Sequence, residues 1–318
     1  MVFDNITFDD EQAKAIYSQT KDLKNHDIDR MLPLLKNNYN GKNKSLNDEL
    51  TLNILTAYNY FKKDKVYEAL KYQILNEKKL DKNEDSKLQL SNKIIAALIY
   101  EEEDAFGMAG TALQNAKGET VIENYQIEAY KAYLKLKDEK YSESRVYFEN
   151  ALSDAKAISL LDYFYCLLNL SKICNELALN NEQLLYATKA DSLINSGTEN
   201  FFNKAIDYNI SQSSISKVSA SLKNQSLINL STAYRRNKQY SSALRVLNRL
   251  IAIEKNNKAS TTLTDIYINK ALTYTFLKDY SNASSAYYEA LKFEDSEQDR
   301  ARESEIYNLL LSGLNWQA

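Results

Sequence analysis

Bulky and small apolar residues recur along this chain at helical intervals, and a short polar phrase separates one set from the next. The phrase is a polar turn, a bulky residue, two further residues and a small one. It reads KDKVYEA at Val66 and Ala69, EEDAFGMA at Phe106 and Ala109, and KDEKYSES at Tyr141 and Ser144. It returns as RNKQYSSA at Tyr240 and Ala243 and as FLKDYSNA at Tyr280 and Ala283. Bulky and small positions follow four and seven residues later: Leu113 and Ala116, Phe148 and Ala151, Leu247 and Leu250, Tyr287 and Ala290. Upstream, a small residue precedes an aromatic by three: Ala57 and Tyr60, Ala97 and Tyr100, Ser231 and Tyr234, Ala271 and Tyr274. Each set is one face of a helix. The pattern therefore predicts units of helix, short turn, helix, starting near residues 50, 90, 125, 164, 224 and 264.

The small residues have a physical task. Two helices approach to about 8–10 Å only where the side chains between them are small. One such pair cannot bury its own apolar face, so pairs must stack. Two copies depart from the pattern. The unit at 164 has LALNNEQL in place of the aromatic turn, although Ala187 and Ala190 preserve its second helix. In the unit at 50, Gln73 and Asn76 stand where an apolar and a small residue are expected.

A single domain over 1–318 is expected, with these parts. Residues 9–48 read as a degenerate helix pair followed by a polar loop, with Asp29 as a cap that places Pro33 near a first helical turn. Repeats fill 50–197. The stretch 198–223 is irregular: TENFFNKAIDYNI carries Phe201, Phe202, Ile206 and Tyr208, and a Ser-rich segment follows. It fits an extra helix with a turn, a hinge, or a further degenerate repeat. The best copies occupy 224–297. Residues 298–318, with Ile306, Leu309, Leu310 and Trp316, read as a capping helix.

Composition narrows the class. The chain of 318 residues has six Gly and one Pro, too few for the tight turns of a β-sandwich or barrel. The net charge of −3 includes no long block of one sign, so direct nucleic-acid binding is not expected. No run approaches the ~18 apolar residues of a membrane span. The opening residues lack a secretory signal, which predicts a cytoplasmic protein, or an exported or anchored one if a leader precedes Met1. Cys166 and Cys174 fall on one helix, roughly 12 Å apart in rise, too far for an unstrained disulfide.

Catalytic groups are few. His26 is the sole histidine and lies in the polar stretch KNHDID, which leaves no basis for a histidine metal site or a convincing nucleophile–histidine pair. No phosphate-cradling glycine loop is present; Gly107 and Gly110 belong to a helix turn and packing seam. Glu101–Asp104 lacks the spacing of a calcium loop. The prediction is no enzyme, no cofactor and no metal. Oligomeric state stays open.

The phrase and its spacing resemble the tetratricopeptide repeat, over roughly residues 50–297 and best in SLINLSTAYRRNKQYSSALRVLNRLIAI and DIYINKALTYTFLKDYSNASSAYYEALKF. Ala or Ser replaces the family's first-helix Gly, the inter-repeat Pro is missing, and the unit spacings of 35 to 60 residues exceed the usual ~34. The resemblance implies an all-α, right-handed superhelical solenoid whose first helices line a concave groove. It places Asn169, Asn229 and Asn269 at one equivalent groove position, with Ile228, Thr232, Arg235, Arg236, Ile268, Leu272 and Phe276 around them. An Asn amide donates and accepts, as the backbone of an extended peptide does. The other reading is that these Asn residues bridge helices or solvent. The basic clamp of chaperone-tail adaptors is missing, since its positions carry Ile228, Thr232 and Asp265. More distantly, repeat length and groove Asn are similar to bacterial peptide-pheromone receptors, without a recognisable DNA-binding helix-turn-helix. The resemblance thus implies a non-catalytic scaffold or adaptor that holds a protein or peptide segment. Its alternative is a peptide- or ligand-responsive regulator whose superhelix changes pitch.

Overall fold

The structure is a computed structural model that describes residues 8–21, 28–80, 86–195, 212–257 and 260–293. All regular structure among them is helical. The helices come in consecutive pairs: α1 (Glu11–Lys21) with α2 (Ile28–Asn38), α3 (Leu46–Lys62) with α4 (Val66–Leu80), α5 (Ser86–Glu102) with α6 (Phe106–Ala112), and α7 (Val121–Lys137) with α8 (Tyr141–Ile158). Then follow α9 (Leu160–Glu176) with α10 (Asn180–Asn195), α11 (Gln212–Arg236) with α12 (Tyr240–Asn257), and α13 (Ser260–Phe276) with α14 (Tyr280–Leu291). The chain divides into two compact units between residues 157 and 158.

Each pair from α3/α4 onward turns in the same way. Asp64, Asp104, Glu139, Ala178, Lys238 and Lys278 all take positive φ, between 54° and 60°. The next N–H then reaches the carbonyl five residues back. These bonds run from Lys65 to Tyr60 at 3.0 Å, Ala105 to Tyr100 at 2.8 Å, and Lys140 to Lys135 at 2.9 Å. They continue from Leu179 to Cys174 at 2.8 Å, Gln239 to Tyr234 at 2.8 Å, and Asp279 to Tyr274 at 2.9 Å. This left-handed cap satisfies the last carbonyls of the first helix and reverses the chain. The unit at 164, whose turn sequence departs from the phrase, has the same turn.

The small residues sit where the helices cross. Ala57, Ala97, Ala132, Ser171, Ser231 and Ala271 in the first helices are at most 2% exposed. Facing them, Ala69, Ala109, Ser144 and Ala243 are completely buried. Ser144 donates to the Ala132 carbonyl at 2.7 Å, which ties α8 to α7. In the first unit, α1 and α2 pack on α3 and α4 through Phe8, Tyr17, Met31, Leu35 and Leu50. A second cluster joins Ala97, Leu113, Ile127 and Leu134. In the second unit, Leu227, Leu230, Leu247, Leu250, Ile266 and Tyr287 form the core.

Three details differ from the sequence reading. Pro33 lies inside α2, beyond its first turn, and Asp29 is in that first turn rather than before it. The ring therefore withholds one i→i−4 bond at a solvent-exposed point of the helix. α6 ends at Ala112, so Leu113 and Ala116 are buried from two tight turns rather than from a helix face. α11 starts at Gln212, so the Ser-rich segment is helical and runs unbroken into the repeat placed near 224. The earlier part of 198–223, His26 and the expected cap at 298–318 with Trp316 lie outside the described residues. No helix among the described residues is long and apolar enough to cross a membrane.

Candidate functional site

The predicted groove residues all fall in the second unit, on its three first helices α9, α11 and α13. All ten lie in repeats that share the same turn, so their register along each helix is fixed by the same cap. The three Asn side chains are half-buried; Asn169 and Asn269 bond back to their own helices in the same way, and Asn229 does not. Asn169 donates Nδ2–H to the Tyr165 carbonyl of its own helix at 2.9 Å. Asn229 accepts from Gln225 Nε2 at 3.1 Å through Oδ1, while its Nδ2, closed off from solvent, has no acceptor. Asn269 donates to the Asp265 carbonyl at 2.9 Å.

Arg235 links two of these helices. Its Nη1 donates to the Asn269 side-chain oxygen at 3.2 Å and to the Asn269 carbonyl at 3.3 Å. That places the end of α11 against the middle of α13. Burial, and then the neighbouring Arg236, hold the guanidinium below its ordinary pKa. Among the described residues Arg235 has no carboxylate partner. Arg236 is exposed and caps a different helix, donating to the Asn175 carbonyl near the end of α9 at 3.1 Å. Asn237 reinforces that junction by donating to the Asn180 carbonyl at 2.8 Å.

The remaining predicted residues divide by burial. Ile228 and Ile268 pack against the core of the unit and present only part of their surface. Thr232 and Leu272 are half-buried. Phe276 is 60% exposed and stacks on Tyr240 with ring centroids 6.3 Å apart. The arrangement thus offers amide donors and acceptors, one uncompensated guanidinium and an exposed aromatic edge. Arg235 is the residue whose role the pattern alone did not resolve. Its direct bond to Asn269 depends on how α11 lies against α13, which no spacing within either helix reveals.

Repeated helix pairs, with one shared turn from α3/α4 onward and small residues at most crossings, define this as a helical-repeat solenoid protein. Its fold is that of the tetratricopeptide-repeat proteins. A signal transduction ATPase with numerous domains from Pyrococcus horikoshii, described as carrying a tetratricopeptide repeat sensor, has a TM-score of 0.63 at 17% identity. The likeness covers 94% of this chain and 43% of that one, so this chain spans less than half of that protein's length. The apo form of RapI has a TM-score of 0.52 at 16% identity, over 84% of this chain and 71% of that one. Neither a protein-family model nor a curated protein matches the sequence.

Proposed function

We propose that this protein is a non-catalytic scaffold that holds an extended, acidic segment of a partner protein against α9, α11 and α13. The observation that carries this reading is Arg235. Arg235 is half-buried, and a guanidinium partly withdrawn from water without a carboxylate is costlier to hold than a solvated one. An acidic side chain or a terminal carboxylate of a bound segment would remove that cost with a bidentate pair. Asn229 supports the same reading, because its unmet donor matches a backbone carbonyl. Asn169 and Asn269 each retain unused amide hydrogen-bonding capacity beyond the bonds described. The sensor named in the P. horikoshii protein is in keeping with ligand capture by this fold.

Selection of random linear peptides on the full chain tests the proposal. Binders should be enriched in Asp and Glu. Replacing Arg235 by Met, or Asn229 and Asn269 together by Ala, should weaken them at least about tenfold, or ~1.4 kcal/mol. Binders indifferent to both changes would exclude this face.

A further inference from the structure

The first unit holds a cavity of about 680 Å³ where α4, α5 and α6 meet. That is within the range of small-molecule sites, roughly 300–1,000 Å³. Several of its lining residues depart from the repeat. Four residues after the small residue of the second helix, the other units carry Leu113, Phe148, Ala187, Leu247 and Tyr287; α4 carries Gln73. Five residues before the small residue of the first helix, the other units carry Leu52, Ile127, Cys166, Ser226 and Ile266; α5 carries Asn92. Near it on α5 is Ala96, the smallest side chain at a register occupied elsewhere by Thr56, Lys131, Leu170, Leu230 and Lys270. Gln73, Asn92 and Ala96 all line the cavity. Three polar or small departures from the repeat thus meet at this one junction.

The lining has a definite chemistry. Gln73 and Asn92 are 4% and 3% exposed, and the side-chain oxygen of each lacks a donor. Asn76, fully buried on α4 and not part of the lining, also has an unmet oxygen, its Nδ2 being given to the Leu50 carbonyl at 3.1 Å. Asn92 donates to the Gln73 carbonyl at 3.4 Å, so the amides are held by their nitrogen ends. Acceptors are thus in excess, and a buried acceptor left unmet is costly. The terminal torsions of Asn and Gln are broad, so the Gln73 and Asn92 oxygens can turn toward a donor in the cavity. Glu77 and Lys93 also line it. Among the described residues neither is in an ion pair, and they are not paired with each other; Glu77 only accepts from Gln73 at 3.4 Å. Tyr100 and the exposed Met108 supply apolar surface, and Met adapts readily to varied shapes.

We propose that this junction binds a small zwitterion, a free amino acid or a di- or tripeptide. Its ammonium group meets Glu77 and the amide oxygens, its carboxylate meets Lys93, and its side chain lies along Tyr100 and Met108. The site is separate from the face of the second unit and does not depend on it.

The test is thermal melting of the full chain with the amino acids and with a set of di- and tripeptides at millimolar concentration, followed by calorimetric titration. At least one zwitterion should raise the melting temperature, and which arm it comes from fixes the ligand's size. Its N-acetyl amide, which lacks both charges, should bind at least about tenfold more weakly. Lys93→Met and Glu77→Gln should each weaken binding by about tenfold, and Ala96→Leu should also weaken it by intruding on the cavity wall. If Ala96→Leu fails to fold, Lys93→Met, at a half-buried position, answers the same question. Asn229→Ala should leave this binding unchanged, which separates it from the peptide face. The proposal is overturned if no zwitterion raises the melting temperature, or if one does so equally in the Lys93 and Glu77 variants.

Discussion

Ala178 adopts φ +56° in a turn whose sequence bears little likeness to its five counterparts. A left-handed conformation costs a non-Gly residue about 1–2 kcal/mol, and glycine is the residue that avoids it. Ala178→Gly should therefore raise stability by about 0.5–1 kcal/mol, while Ala178→Val should lower it by about 1–2 kcal/mol, read by urea unfolding. Equal effects of the two would deny the shared turn. The residue scale also shows what a pattern hides. In this same unit Gln183 occupies the small-residue position, is 1% exposed, and donates to the Asn175 side-chain oxygen at 3.2 Å. A buried Gln gives no periodic signal, so the unit looked weaker in sequence than it is in structure. Gln73 and Asn76 were visible as irregularities for the same reason. Their convergence with Asn92 needed the packing of α4 against α5.

Among the elements, helix starts were legible wherever the phrase was intact. Val66, Phe106, Tyr141, Tyr240 and Tyr280 each begin a second helix, because a polar left-handed turn followed by a bulky residue fixes the boundary. Helix ends were less legible. α6 stops at Ala112, and the chain returns closely to α7 at Gly118. A Cβ there would lie 2.4 Å from Glu123 Cβ and 2.9 Å from the Asn124 backbone nitrogen. The Gly118 N–H also donates to Asn124 Oδ1 at 2.9 Å, beside the capping box that Thr120 and Glu123 form on α7. Gly118→Ala should cost about 1–3 kcal/mol by forcing this loop off α7, seen as a lower denaturation midpoint. Gly41, with open space around its Cβ position, offers the contrast: its constraint is its φ of +76°, not crowding. The length of α11 was missed because Ser-rich composition reads as a loop when local packing is unknown.

For the whole molecule, the all-helical repeat fold followed from small residues in register and from the scarcity of Gly and Pro. The candidate site followed only in part. Equivalent positions of Asn169, Asn229 and Asn269 were readable from the register of the repeats. Their bonds were not, because Arg235 reaches Asn269 across two helices. Function then turns on whether a bound segment lies on this face. Photo-cross-linking tests that most directly, with a benzophenone amino acid placed at Thr232 or Leu272, or at the exposed Ser241 of α12 as the comparison. A selected acidic peptide should be captured from positions 232 and 272 and not from 241. Capture from 241 alone would contradict the assignment of the face.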